Sequence, residues 1–555
     1  MAAFIDSVTN RKLIYFGLFI LLIQIGFFVI GGIIAPSPSN VSPMLSVKCL
    51  DDQKGPRDRW FYPRGKDRSK TCQQIHDFGE ETVQKMKLNA SNIVFAVQFP
   101  IPRDGQELTM SRWFQGLLGV LHPEIVYQGD DKTSFKLDIE IHARIGYRNK
   151  EDPEDAWKEI DRSVETRQLE CSIEERHKDY LYNCTPVALF ELGSSYHDFY
   201  LLNLRLPVHN SNGTLSGKNT GLGQLQDLWV VEIHQNGGFT RVWFSVKTVL
   251  FPFVFVAVCW FWTKIRNLPK APRLLEKMLF TLGLAMLLLD LPLEFLSLLF
   301  DIPAILLISD IRQGIFYSIL LAFWIIFAGE YQMDDVLRDS IFFYWKHLGA
   351  VGFGCICLFV FDMCERGVQL TNAFYSIWAT PTGTNLAMAF IIVAGICACI
   401  YFVYLTVMIS FALRNMWDKR KKLLQLDEKR RKHYQMMIFR FQFLLLISLL
   451  CAALTVISFI IGQVSESSWK WGDEERAGLE YTSAFFVGIF AMWNLYVITL
   501  LILYSPVSTH EALENPTENS EVIALNAVSG TSNDSILMTD FATSATSFLR
   551  KVAED

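Results

Sequence analysis

Seven ionisable residues stand inside or at the ends of apolar runs in the second half of the chain, where a charge is costly unless it is paired or faces a wet cavity. Asp290 and Glu294 are one helical turn apart and so share a face, with Pro292 between them to loosen the backbone. Asp362, Glu365 and Arg366 close a later run, and Asp310 and Arg312 open another. Such groups can form ion pairs or a polar mouth above an apolar interior. In the competing reading Glu365 and Arg366 mark a membrane surface and packing neutralises Asp290. Phe316, Phe359 and Phe390 lie in the same runs and offer an apolar lining, although bundle core or lipid contact is the ordinary use of such rings. Covalent catalysis has little support. No histidine lies deep in an apolar run, and Gly-x-Ser-x-Gly, His-Glu-x-x-His and phosphate-loop patterns are absent from the sequence.

Other reactive or modifiable residues sit elsewhere. Cys49, Cys72, Cys171 and Cys184 allow three pairings, and short loop closure favours Cys49 with Cys72 and Cys171 with Cys184 in an oxidising compartment. Four free thiols are the alternative; a zinc site is disfavoured because no Cys-x-x-Cys is present. Asn40, Asn89, Asn183 and Asn212 head glycosylation sequons. Tyr434-Gln-Met-Met437 has the Tyr-x-x-apolar form read by clathrin adaptors, or else Tyr434 joins an interfacial aromatic belt.

The elements that must hold these residues follow from hydropathy. Of 555 residues 51% are hydrophobic and only 19% charged, with a net charge of -6, which argues for a membrane protein and against a nucleic-acid binder. Residues 13–34 run without a charge for long enough to cross a bilayer. A cleaved signal peptide is the alternative, disfavoured by the length of the run and by Pro36. Seven further runs lie near 246–263, 274–299, 313–329, 347–364, 385–413, 438–463 and 483–504. Arg11 and Lys12 keep the N-terminus cytosolic, and nine basic residues against three acidic ones between Arg414 and Lys432 place that loop on the same side. Eight spans return the C-terminus to the cytosol.

Between the first two runs the composition changes. Residues 35–247 hold 26 Lys/Arg and 29 Asp/Glu, the content of a soluble domain. Thr133 to Arg148 alternates strictly and reads as a half-buried strand. Ile93 to Phe99, Tyr200 to Val208, Leu228 to His234 and Thr240 to Lys247 also read as strands, and Trp113 to Leu121 as a short helical piece. The expected fold is a multi-pass α-helical membrane protein of eight spans with an inserted lumenal antiparallel β-sandwich. Its parts are a cytosolic N-terminus (1–12), a first helix (13–34), the lumenal domain (35–245), a seven-helix bundle (246–504) and a disordered cytosolic tail (505–555).

That order resembles the Wntless family. So do HQNGGFT from His234, DIRQGIFY from Asp310, FDMCERGVQLTN from Phe361, FYSIW from Phe374, AMAFIIVAGIC from Ala387, WKWG from Trp469 and MWNLYV from Met492. The resemblance runs from the first span to about Tyr504. It implies a bundle like that of G-protein-coupled receptors. It also implies a transport receptor that binds Wnt proteins carrying a palmitoleoyl chain and escorts them from the endoplasmic reticulum and Golgi to the cell surface. Return through endosomes would use Tyr434 to Met437, with clathrin adaptors and the retromer as partners. Lys551 to Asp555 resembles the family's retrieval signal weakly. No enzyme activity, metal or cofactor is implied, a structural phospholipid in the bundle being the one candidate. The expected cargo contacts are Phe316, Phe359 and Phe390 for the acyl chain, with Asp290, Glu294, Asp362, Glu365 and Arg366 toward the mouth. A signalling receptor is the competing class, but Gly329-Glu330-Tyr331-Gln332 stands where its acidic-Arg-aromatic triplet belongs. A lipid transporter or acyltransferase is the third, disfavoured by the missing intramembrane histidine.

Overall fold

The computed structural model describes residues 4–52, 59–63, 72–100, 108–129, 133–173, 180–208, 218–268, 271–330, 341–422, 428–467 and 482–506. Among them eight helices are long and apolar enough to cross a membrane: α1 (Arg11–Ile34), α2 (Gly237–Arg266), α3 (Leu274–Leu299), α4 (Ile305–Glu330), α5 (Trp345–Gly367), α6 (Pro381–Asn415), α7 (Phe441–Ser458) and α8 (Thr482–Leu503). Between α1 and α2 the chain builds two antiparallel sheets. The first contains β1 (Ser39–Leu45), β5 (Leu117–Val126), β9 (Val187–Leu192) and β11 (Gln224–Gln235) in the order β1-β11-β5-β9. The second contains β2 (Val47–Leu50), β3 (Gln73–Gln74), β4 (Ile93–Phe99), β6 (Ser134–Arg148), β7 (Lys158–Ser172), β8 (Asn183–Cys184) and β10 (Phe199–Arg205), in the order β3-β2-β4-β10-β6-β7-β8.

The alternation in β6 does what period two requires: Ile139, Ile141, Ala143 and Ile145 are buried on one face. They meet Leu117, Leu121 and Ile125 of β5 in one apolar core between the sheets. Both expected disulfides form, Cys49–Cys72 beside β3 and Cys171–Cys184 across β7 and β8.

Two expectations are corrected. The apolar stretch Trp113 to Leu121 is not helical; from Leu117 it is strand β5, whose alternating burial a short hydrophobic run conceals. Thr240 to Lys247 is not a strand but the first turns of α2. Asn236 caps that helix by accepting a hydrogen bond from the Gly238 amide, so the second span starts at Gly237 rather than near residue 246.

β1 follows α1 directly and β11 runs into α2, and the two strands pair in antiparallel register from Ser39↔Gln235 to Leu45↔Trp229. The sandwich therefore stands on the bundle by two adjacent legs. In the membrane α1 packs against α8. Gln24 donates to the Gly488 carbonyl (2.7 Å), Ser483 donates to the Gly31 carbonyl (2.8 Å), and a Cβ at Gly31 would come 2.8 Å from the Ala484 Cα. One large apolar cluster joins α1, α2, α3, α4, α7 and α8, and Ala412 of α6 reaches it. A second one joins the cytoplasm-expected ends of α3 and α4 to α5 and α6 through Met278, Ile326, Val351, Tyr401 and Leu405.

Candidate binding site between the sandwich and the bundle

α3 is interrupted. Its regular helix ends at Asp290, Pro292 follows, and a 3₁₀ turn (Leu293–Phe295) leads into a last short helical turn. The break presents the Leu291 carbonyl sideways, and Arg312 of α4 donates to it through Nη1 (2.7 Å). The same guanidinium reaches Glu294 Oε1 (2.5 Å), which Lys247 Nζ of α2 also meets at 2.5 Å. Asn494 of α8 donates to Asp290 Oδ1 (3.2 Å). Lys247, Asp290, Glu294, Arg312 and Asn494 are all buried. Two cationic and two acidic side chains thus balance inside the bundle, the arrangement that makes intramembrane charge tolerable. Among the described residues Asp290 Oδ2, Glu294 Oε2, Arg312 Nε and Asn494 Oδ1 have no hydrogen-bond partner.

Asp290 and Glu294 are both buried in this network, although they stand on either side of the break rather than one turn apart on a continuous helix. The structure adds Lys247, which the sequence reading leaves at the end of a strand, and Asn494, whose signal was a lone amide in an apolar run. This network also reaches the sandwich. Ser297 donates to the Glu294 carbonyl (2.7 Å) and lies 3.2 Å from Gln115 Oε1, and the Trp113, Phe244 and Phe295 rings pack against one another across the same junction.

A second junction lies at the far end of α5. Arg366 binds Glu191 of β9 (3.0 Å) and Asp310 of α4 (2.8 Å). Glu365 accepts from the Ile377 amide (2.6 Å) and from Gln369 (3.2 Å). These bonds fold the α5–α6 loop back onto the sandwich. There the Ala373 amide donates to Asp161 (2.6 Å), the Glu191 amide donates to the Ala373 carbonyl (2.9 Å), and Arg167 donates to the Phe374 carbonyl. Phe374 itself is fully buried in the sandwich core, edge-on to Phe190. A membrane loop therefore supplies part of the core of the extramembrane domain. Asp362 is half-buried on the same turn.

Between this loop and the α3–α4 connection is a cavity of about 440 Å³, walled by Glu191, His197, Asp301, Leu307, Arg366 and Leu370 among others. His197 stacks on Tyr147 (3.6 Å between centroids) and faces Asp301 at 3.7 Å. That imidazole, followed by the Ser194 hydroxyl, holds the Asp301 carboxyl below its ordinary range against the opposing effect of burial. Gly193 touches the α3–α4 connection so closely that a Cβ there would overlap the Pro303 carbonyl oxygen.

The three expected acyl-contact rings are placed differently from one another. Phe316 is wholly buried, against Tyr317 and Trp493; Phe390 is half-buried; Phe359 is 46% exposed and belongs to neither apolar cluster. Asn40, Asn89 and Asn183 are exposed on the sandwich, and Asn212 lies outside the described residues. Tyr434 to Met437 falls within a helix, Glu428–Ser467. Residues 507–555, which include the tail and its terminal pentapeptide, also lie outside the described residues.

Comparison with known proteins matches these two parts separately. Residues 47–235 fit the family model "Wntless, GOLD domain", and residues 236–508 fit "Wntless-like, transmembrane domain". The boundary falls at the capping Asn236. The chain is 44% identical over 513 aligned positions to the protein wntless homolog of Gallus gallus, covering 91% of each. It is 44% identical over 509 positions to the Homo sapiens homolog, again 91% of each, and 44% identical over 569 positions to protein wntless of Drosophila ananassae, 99% of each. With both domains matched and the correspondence running through nearly the whole length, this eight-span protein with an inserted β-sandwich belongs to the Wntless family.

Proposed function

We propose that the protein is a transport receptor for acylated Wnt proteins, holding the acyl chain among α4 to α7 while the sandwich grips the protein part. The observation that carries this reading is the uneven packing of the bundle. α5 and α6 join α4 through a satellite cluster, with Ala412 of α6 also reaching the main one, and leave Phe353, Ile356, Phe359, Ile392 and Ile396 exposed, whereas 72% of the α8 span is buried. An apolar surface of that kind suits a hydrocarbon guest. A sixteen-carbon chain has about fourteen methylene equivalents, so leaving it in water would cost on the order of 10 kcal/mol at about 0.8 kcal/mol each. A carrier must shelter it or the cargo stays on a membrane. Two modest contacts on one scaffold, acyl chain and protein, reinforce each other.

In this reading the sandwich is lumenal and both termini are cytosolic. The protein moves between endoplasmic reticulum, Golgi, plasma membrane and endosomes, and Tyr434 to Met437 engages clathrin adaptors after local unwinding, with retromer returning the receptor. It acts by binding and release rather than as an enzyme. Asp362, Glu365 and Arg366 form the mouth. Phe359→Trp or Phe390→Trp blocks cargo export, measured as secreted Wnt from cells expressing the variant at normal level; unchanged secretion refutes the placement of the chain. The broader test is recovery of the intact receptor from secretory cells with its cargo. Equal recovery of wild-type Wnt and of a serine variant lacking the acyl chain refutes lipid recognition.

A further inference from the structure

One face of α2 is exposed: Arg241, Ser245, Val249, Phe253, Val256 and Trp260 follow one another at helical spacing. The stripe is apolar from Val249 to Trp260, so it faces lipid, and Lys264 lies a turn beyond, 5.8 Å over the Trp260 ring. Arg241 and Lys264 are about 35 Å apart along the helix, at 1.5 Å for each residue between them. A bilayer is about 30 Å thick in its hydrocarbon and about 40–45 Å with its headgroups. The two cations therefore stand in opposite headgroup layers, Arg241 on the side of the sandwich.

The sandwich reaches the same layer. Trp113 lies against Phe244 of α2, and the Arg241 guanidinium sits 5.3 Å over its ring. The neighbouring Arg112 lies 4.4 Å over the Tyr196 ring and donates to the Leu298 carbonyl (3.4 Å), while Tyr196 donates to the Leu299 carbonyl (3.2 Å). Beside these bonds Leu299 and Phe300 are 64% and 61% exposed, side chains that suit the edge of a bilayer and not water. Arg59, Arg144, Arg162, Arg167 and Arg205 of the sandwich each meet a carboxylate. Arg112 and Arg241 are exposed, and neither forms an ion pair among the described residues. A guanidinium held at headgroup depth without a carboxylate is matched by phosphate, whose oxygens take its paired N–H groups.

We infer that Arg112 and Arg241 bind phospholipid phosphate in the leaflet on the sandwich side, with Tyr196 and Trp113 as the rings that hold the two guanidinium groups at the surface. The bilayer then supports the sandwich at a point other than its two legs, fixing the turn before β5 and the end of α3 against the headgroups. The contact needs no cargo and does not depend on the transport reading.

The test compares the full-length protein in bilayers of phosphatidylcholine and of digalactosyldiacylglycerol, reading hydrogen exchange of residues 110–115 and 296–300. Both lipids are uncharged overall, so the comparison isolates the phosphate. In the wild type both segments exchange about tenfold more slowly in phosphatidylcholine. Arg112→Gln with Arg241→Gln removes that difference, and Arg112→Lys with Arg241→Lys keeps most of it, because lysine also meets phosphate as a point charge. Arg112→Gln alone, which leaves α2 untouched, gives the same answer for residues 110–115 should the double variant not fold. Equal wild-type exchange in the two bilayers overturns the inference. So does a difference that survives in the folded glutamine variants, since it would then belong to the bilayer and not to these side chains. Protection that appears in the wild type only when acylated Wnt is added, whichever lipid is present, also overturns it and assigns the two arginines to a protein partner.

Discussion

Replacing Phe374 by Ala separates the contribution of one membrane-loop ring from the polar bonds around it. The side chain is fully buried in the sandwich core although it comes from the α5–α6 loop. Removing most of a buried area on the order of 150 Å² at about 25 cal/mol per Å² costs close to 4 kcal/mol, within the 3–5 kcal/mol typical of Phe→Ala in cores. At 1.4 kcal/mol per tenfold, docking of the loop weakens by about a thousandfold. The Ala373 amide, bonded to Asp161, and the Glu191 amide, bonded to the Ala373 carbonyl, report this directly. Their hydrogen exchange, followed in the detergent-solubilised protein, accelerates by up to about 10³, limited by the opening free energy of the intact domain. Phe374→Leu keeps most of the apolar volume and accelerates exchange nearer tenfold, at about 1.4 kcal/mol. Protection within threefold of wild type in a folded Phe374→Ala protein refutes the reasoning, because the loop would then be held by its hydrogen bonds and by Arg366 alone.

Three further outcomes follow from the same geometry. Glu294→Gln leaves Lys247 and Arg312 buried without their shared carboxylate and destabilises the bundle by about 3–5 kcal/mol, read as earlier thermal loss of monodisperse protein; equal thermal stability refutes the network. Gly193→Ala drives a Cβ into the Pro303 carbonyl and opens the seam, seen as protease access at the α3–α4 connection, whereas the neighbouring Ser194→Ala does so far less. The Asp301 carboxyl is held below its ordinary range, so its contribution to the seam is complete above about pH 4 and is lost only as pH falls through the lower folded value. Seam protection from exchange is therefore flat between pH 7 and 5 with respect to Asp301 and declines in stronger acid, and Asp301→Asn makes that decline shallower, the remainder coming from Asp161, Glu191 and Glu365.

Much of the architecture was legible because hydropathy in a bilayer is a coarse and strong signal. All eight spans and strand β6 follow from run length and period two alone. β7 leaves no such signal although it pairs along almost the whole of β6. Its outer face is exposed and its residues Lys158 to Glu165 are mostly charged or polar, so no alternation stands out. The start of α2 is obscured because Thr240 to Lys247 resembles a strand, while the decisive signal is Asn236 before two glycines. At the site, Asp290 and Glu294 could be read as neighbours from their spacing, although the break at Pro292 interrupts the helix between them. Their partners Lys247, Arg312 and Asn494 arrive from three other helices, and such convergence leaves no local pattern. Phe374 has no signal of its own beyond the FYSIW string, since nothing in a loop sequence says that its ring enters another domain.

The union of α1 with α8 has a consequence for synthesis. The notch at Gly31, and the acceptor that Gln24 needs, are supplied by residues 483 to 488, which leave the ribosome some 450 residues after α1 has been inserted. Until then a polar amide waits in the lipid with no partner of its own. A chain cut short before α8 carries that unmet amide and a bare glycine groove as marks of incompleteness, so the last span to be made is also the one that certifies the first.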